Sequence, residues 1–226
     1  MKITFLGQNG FLIESKKSKI VVDPYLSDSV EKTEPRNKRR QPVDERFLAV
    51  KPSVVIITHA HADHYDEETL DKLLTDNADC VILCPPSVFS KAKNRYGNAN
   101  FVFFRCGTSY SVADAEFYAV AAEHSDTEAI GVIIIIEGKK LYITGDTLYS
   151  ERVFSSLPFR SFDAVFLPIN GRGNNMNAVD AAKFVKRINA DIVVPVHFGL
   201  FDDLTGRELV CENAVIPQIY KEIKLK

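Results

Sequence analysis

Short apolar runs that stop at Gly, Asp, Asn or His dominate the chain. Thr4–Leu6, Phe11–Ile13, Ile20–Val22, Val54–Ile57, Val81–Leu83, Phe101–Phe104, Val132–Ile136, Leu141–Ile143, Ala164–Leu167 and Ile192–Val196 have the length and β-branched content of strands. Helical spacing is rarer. Leu70, Leu73 and Leu74 recur three and four apart behind Asp66, a candidate N-cap, with Glu67 and Glu68 in the first turn. The clearest helix runs from Ala178 to Ile188: Asn177 is its N-cap, Asp180 sits near the positive end, and Lys183, Lys186 and Arg187 lie toward the negative end. This balance predicts an α/β protein whose strands are covered on both faces by helices.

One pattern occurs twice. Gly10-Phe-Leu-Ile-Glu14, a Ser/Lys turn and Lys19-Ile-Val-Val-Asp23 share their grammar with Gly131 to Glu137, a Gly-Lys turn and Lys140 to Asp146. Each reads as a hairpin ending in an aspartate. Either apolar hairpins look alike by chance, or two similar ββ units close two sheets face to face with their loops meeting along one edge. No Pro- or Gly-rich linker interrupts residues 1–226, which are read as a single domain. The one shift in composition is Glu31–Arg46, where Lys32, Arg36, Lys38, Arg39, Arg40 and Arg46 mix with Glu31, Glu34, Asp44 and Glu45. It reads either as a polar surface loop or as a rim that meets an anionic substrate.

Composition narrows the function classes. The 226 residues are 46% hydrophobic and 26% charged, as in soluble globular proteins, and carry 28 basic against 30 acidic residues. A net charge of −2, with no dense basic stripe interleaved with aromatics, argues against a nucleic-acid partner. No apolar run approaches the roughly 18 residues of a membrane helix, and Met1–Asn9 is too short and polar for a signal peptide. A cytoplasmic protein is therefore expected. Cys80, Cys84, Cys106 and Cys211 form no C-x-x-C pair. Cys80 and Cys84, four residues along a strand, would lie about 13 Å apart, beyond disulfide reach. Buried free thiols are the expectation for all four.

The decisive segment is Val54-Val-Ile-Ile-Thr-His59-Ala-His61-Ala-Asp63-His64. A strand runs into four metal-ligand side chains within six positions. In a strand His64 would face away from His59, His61 and Asp63, and in a helix His59 and His61 would diverge by about 200°. A tight loop at the strand's carboxyl end brings them together, and the alanines let the backbone crowd a cation. Imidazoles with a carboxylate suit Zn, Mn or Fe.

His59, His61, Asp63 and His64 match in full the H-x-H-x-D-H signature of the metallo-β-lactamase superfamily, which the chain resembles. Further candidates close apolar runs: His124 in Val-Ala-Ala-Glu-His, Asp146 in Tyr-Ile-Thr-Gly-Asp and His197 in Val-Val-Pro-Val-His. All five histidines are thereby used. The resemblance implies a four-layer αβ/βα sandwich of two mixed sheets flanked by helices, with an internal pseudo-twofold that would account for the repeated hairpin. It also implies two divalent cations, one held by His59, His61 and His124 and the other by Asp63, His64 and His197. Asp146 would bridge them, and Asp23, in Val-Val-Asp-Pro, would orient the ligand loop from behind.

Gly7-Gln-Asn-Gly-Phe-Leu-Ile, Asp23-Pro-Tyr-Leu-Ser-Asp, Pro168-Ile-Asn-Gly-Arg172, Asn175-Met-Asn177 and Pro195-Val-His-Phe-Gly199 resemble the L-ascorbate-6-phosphate lactonase-like branch. The stretch between Asn-Gly-Arg and Asn-Met-Asn is short here, and Asn174 stands where that branch usually has glycine. The implied chemistry is hydrolysis of a small anionic substrate, a lactone or sugar-phosphate ester first, by hydroxide made available at neutral pH. Asp63 would manage the proton. Arg172 either meets a substrate anion or makes a structural ion pair, and Asn170 either donates to that anion or closes the turn before Gly171. Phe198 and Phe201 either wall the pocket or pack in the core. A phosphodiesterase or nuclease is the alternative, and a non-catalytic metal-binding protein a further one. A diiron oxidoreductase resembles H-x-E-x-D-H, against which His61 argues.

Overall fold

A computed structural model describes residues 1–225. Its strands are β1 (Lys2–Gly7), β2 (Gly10–Glu14), β3 (Lys19–Val22), β4 (Val54–Ile56), β5 (Val81–Cys84), β6 (Asn100–Phe103), β7 (Ser109–Val112), β8 (Ala115–Ala121), β9 (Ile130–Ile136), β10 (Lys139–Ile143), β11 (Ser161–Pro168), β12 (Asn189–Val196) and β13 (Glu222–Ile223). Its helices are α1 (Ser29–Thr33), α2 (Glu67–Leu74), α3 (Pro86–Ala92), α4 (Glu151–Ser156) and α5 (Ala178–Val185).

Two mixed sheets result, in the orders β13-β1-β2-β3-β4-β5-β6 and β12-β11-β10-β9-β8-β7. Both are built alike. Three antiparallel strands, β1-β2-β3 or β8-β9-β10, are followed by two parallel ones, β4-β5 or β11-β12. The repeated hairpins are the second and third strands of each unit, pairing Phe11 with Val22 and Val132 with Ile143. Two-strand periodicity then sorts the side chains. Phe11, Ile13, Ile20, Val22 and Ile56 meet Val132, Ile134, Leu141, Ile143, Phe166 and Val194 in one inter-sheet core. Phe11 and Phe166 cross it edge-on at 4.7 Å between centroids.

The opposite parity faces the helices. Ile133, Val165 and Val193 pack with Val153 of α4 and Ala181 and Phe184 of α5, while Val55, Ile57 and Ile82 pack with Leu70 of α2 and Val88 of α3. The layering is therefore αβ/βα. The expectation that helices cover both faces of the strands is corrected: each sheet's second face is covered by the other sheet, which the near-continuous apolar runs could not distinguish from helix cover.

Asn177 caps α5 as expected, accepting from the Asp180 amide at 2.9 Å, although the helix stops at Val185 rather than Ile188. Asp66 precedes α2 but makes no side-chain cap; its carboxylate instead accepts from the Thr69 hydroxyl. No helix among the described residues is long and apolar enough to cross a membrane.

All four cysteines are free, but only Cys80 and Cys84 are buried; Cys106 is exposed and Cys211 half-buried. The expectation of four buried thiols is corrected, because Cys106 falls in the turn before β7 and Cys211 in a half-exposed segment after β12. Burial pushes the Cys80 and Cys84 thiols up to about 12. Native protein titrated with a thiol reagent should therefore show Cys106 reacting first and Cys211 more slowly, with Cys80 and Cys84 reacting only after denaturation. Prompt reaction of all four would contradict this packing.

Candidate metal centre

Every sequence-predicted ligand, and Asp23 behind them, lies just beyond the carboxyl end of a strand: Asp23 after β3, His59–His64 after β4, Asp146 after β10 and His197 after β12, with His124 closing the run that β8 begins. The His59–His64 segment leaves β4 as a tight turn, with the His64 and Tyr65 amides both donating to the His61 carbonyl. Its backbone is pinned at Ala60, whose amide donates to Asp126 at 3.0 Å and whose carbonyl accepts from Lys91 Nζ at 2.9 Å. Asp146 follows Gly145, whose φ of +63° and closeness to the Ile130 carbonyl, 2.6 Å from where a Cβ would sit, require glycine. His197 itself takes a φ of +57°, held there by its amide hydrogen bond to the Gln8 carbonyl at 2.8 Å.

The seven predicted side chains converge. His59, His61 and His124 form one cluster and Asp63, His64 and His197 another, while Asp146 groups with His59 and His64; within each group the donor atoms lie within 4.8 Å of one another. His61 Nδ1 is 3.0 Å from His59 Nε2 and 3.2 Å from His124 Nε2. Those separations approach the roughly 3.4 Å edge of a tetrahedron with bonds of about 2.1 Å. Asp146 spans both clusters, with Oδ1 3.4 Å from His64 Nε2 and Oδ2 3.2 Å from His197 Nε2 and 4.0 Å from His124 Nε2.

Residues behind the clusters decide which imidazole nitrogen is offered. His64 Nδ1 donates to Asp23 Oδ2 at 2.8 Å, and His59 Nδ1 to the Thr58 hydroxyl at 3.1 Å, which itself donates to Asp23 at 2.6 Å. His124 Nδ1 donates to the Asn174 carbonyl at 3.3 Å. These contacts leave three Nε2 lone pairs aimed inward. Asn170 Nδ2 lies 3.0 Å from His197 Nδ1, while its buried Oδ1 has no partner. Turning that amide over lets Oδ1 accept from Nδ1–H and frees His197 Nε2 in the same way.

Whether the donor set suits a cation is decided by two atoms. His64 Nε2 and Asp146 Oδ1 are buried, 3.4 Å apart and without a hydrogen-bond partner. Two facing lone pairs at that separation repel unless a proton or a cation lies between them. The residues therefore fit a metal. Without one, protons take its place. Burial alone would depress His197, but the Asp146 charge and hydrogen bonds to Asp146 and Asp63 outweigh it and push the imidazole up to about 10. His64 is likewise raised against its burial by Asp146, Asp63 and Asp23. His59 and His124 go the other way, held low first by burial.

Two amides missed as site residues in the sequence complete the floor. Gln8 Nε2 donates to Asp63 Oδ2 at 2.8 Å, and Asn175 Nδ2 to Asp146 Oδ2 at 2.8 Å. Both lie in motifs quoted above, and the left-handed φ of +50° at Gln8 is a backbone constraint that no sequence pattern announces. Asn170 touches His197 and its backbone bridges to Asn177, so it also closes the turn. Arg172 is exposed on the cleft and makes no ion pair among the described residues. Of the two phenylalanines, Phe198 stacks on Phe5 at 6.4 Å and belongs to the core, whereas Phe201 lines the cleft. The cleft above the clusters has a volume of about 400 Å³.

Residues 2–197 match the model of the beta-lactamase superfamily domain. The chain belongs to this superfamily. Among curated relatives, a UPF0173 protein of Pyrococcus furiosus is 29% identical over 209 residues, covering 92% of this chain and 88% of its own. A UPF0173 metal-dependent hydrolase of Pelotomaculum thermopropionicum is 28% identical over 240 residues, covering 100% and 96%. The superfamily fold is equally plain in a solved structure of a possible metal-dependent hydrolase from Veillonella parvula, with a TM-score of 0.79 at 16% identity over 100% of this chain and 99% of that one.

Two measurements test this geometry. Because His64 and His197 hold protons that a cation must displace, metal uptake at pH 7 should release protons, seen calorimetrically as an enthalpy that varies with the buffer's ionisation heat. Affinity should accordingly fall as pH is lowered from 8 to 6. Asp23→Asn should weaken metal affinity by about 10- to 100-fold in chelator competition.

Proposed function

We propose that in this chain, a metal-dependent hydrolase of the beta-lactamase superfamily, two divalent cations, Zn, Mn or Fe, act on a small anionic ester. A lactone or sugar-phosphate ester is the first candidate. One cation is held by His59, His61 and His124, the other by Asp63, His64 and His197, with Asp146 between them. The observation that carries this reading is the unpartnered pair His64 Nε2 and Asp146 Oδ1 at the centre of the converging donors. The relatives named metal-dependent hydrolases support it.

When bound, the cations supply a water of lowered pKa and positive charge opposite the developing oxyanion. The protein residues do the rest. Asp63 borders the cleft beside His64 and His197, where its carboxylate is placed to handle a proton at the inner end of the site. Gln8 fixes that carboxylate through its amide. Asn175 does the same for Asp146, leaving Oδ1 for the centre of the site. Asp23 keeps His64 and, through Thr58, His59 in one tautomer throughout.

A panel of lactones, sugar-phosphate esters, phosphodiesters and thioesters, with and without chelator, tests the reading. His61→Ala and Asp146→Asn should each lower kcat/KM by about 1,000-fold or more on whichever ester is turned over, with the circular dichroism of the folded protein retained. Full activity after metal removal would overturn the proposal.

A further inference from the structure

The cleft does not end above the clustered histidines. It opens outward into a second recess of about 560 Å³, and Glu34, Asn37, Arg172 and Phe201 line both. Thr33, Pro35 and Arg36 form the rest of the recess. This resolves the Glu31–Arg46 segment, whose basic residues are not equivalent. Lys32 pairs with Glu68, Lys38 with Glu31, Arg40 with Asp203 and Arg46 with Asp44. Arg39 is buried, donating to the Tyr25 carbonyl at 2.8 Å, with its guanidinium over the Tyr25 ring. Arg36 alone among these basic residues has no hydrogen bond or ion pair for its side chain among the described residues, and it shares its recess with Arg172, which has none either.

Two exposed guanidinium groups without a partner line one recess, a setting in which an anion can accept charge-assisted hydrogen bonds from both. The acidic group on the same wall, Glu34, has an Oε2 that accepts from Asn37 Nδ2 at 2.7 Å. Asp202, on the inner cleft, is occupied in its loop, accepting from the Gly199 and Leu204 amides at 2.8 and 3.0 Å. Phe201, set edge-on against Tyr25 at 5.6 Å, lines both the cleft that holds His61 and His197 and the recess that holds Arg36, and gives both an apolar wall. A ligand reaching from one to the other therefore has a reactive group at the inner end, a carbon stem along Phe201 and a negative charge at the outer end.

We propose that Arg36 and Arg172 form an outer anion subsite that selects substrates carrying a phosphate or carboxylate at the end remote from the scissile bond. This rests on the hydrolytic reading of the inner site. The test compares three esters or lactones with the same scissile group and stem, ending in phosphate, carboxylate or a neutral hydroxyl. For metal-loaded wild type, kcat/KM should favour the anionic substrates. Arg36→Gln and Arg172→Gln should each cut that preference by about 10- to 100-fold, chiefly through KM, as expected for losing a charge-assisted hydrogen bond. Arg36→Lys should restore part of it, and Arg40→Gln, a paired arginine on the same segment, should leave it in place. A loss confined to one anion identifies the end group as phosphate or carboxylate. An unmoved preference in both glutamine variants overturns the subsite. If no ester is turned over by wild type, the hydrolytic reading fails on its own, and calorimetric titration with inorganic phosphate still decides the subsite: weaker binding to Arg36→Gln supports it, equal binding overturns it.

Discussion

The carboxylate of Asp23, fully buried at the end of β3, accepts from Asn9 Nδ2, from the amide and hydroxyl of Thr58 and from His64 Nδ1. Burying such a charge costs several kcal/mol unless its lone pairs are filled, and here four donors fill them. The donors come from three separate places: the β1–β2 turn, the exit of β4 and the histidine loop. Satisfying one anion thus fixes the first hairpin against the loop that follows β4, and it sets the tautomers of two imidazoles in the same act. Even the strained φ of +39° at Asp23 is intelligible as the backbone geometry that turns the carboxylate inward.

The internal symmetry gives this carboxylate a counterpart. Asp23 and Asp146 both follow the third strand of their unit, and both sit beside His64, one on Nδ1 and the other facing Nε2 at 3.4 Å. A duplicated hairpin has placed two aspartates on opposite edges of one ring. Their environments separate their roles: Asp23 is saturated by donors, whereas Asp146 keeps one oxygen without any. Asn170 follows the fourth strand of the second unit as His59 follows that of the first, and it supports a ligand candidate rather than being one.

Much of this was legible in the residues because histidines and aspartates at the ends of apolar runs are rare and chemically pointed. All the strands with continuous apolar character were visible. β7, β8 and β13 were not, since Ser109–Val112 is a half-exposed edge strand, Ala115–Ala121 is alanine-rich with Glu116 and Tyr118 turned outward, and Glu222–Ile223 is only two residues long. The helices α1, α3 and α4, of five to seven residues, are too short to display a period. Gln8 and Asn175 went unassigned because an amide acquires a role only from what the distant chain brings to it. The same holds for Arg36: nothing in Glu31–Arg46 marks it off from its neighbours until the carboxylates that pair with the others are in place.

The placement of the site along the edge shared by both sheets also bears on how the protein is made. Gln8 and His197, 189 residues apart, touch the same carboxylate, Asp63, and lie against each other. Contacts of such separation make folding slow, because the chain must close a long loop before they stabilise anything. During synthesis His59, His61 and His64 emerge well before His124 and His197, so early in translation the nascent chain displays only part of a chelating set. On the proposed ligand set, full-strength metal capture would belong to the finished fold, after the second sheet has docked on the first, and an ion acquired then would fasten the two halves of the chain to each other.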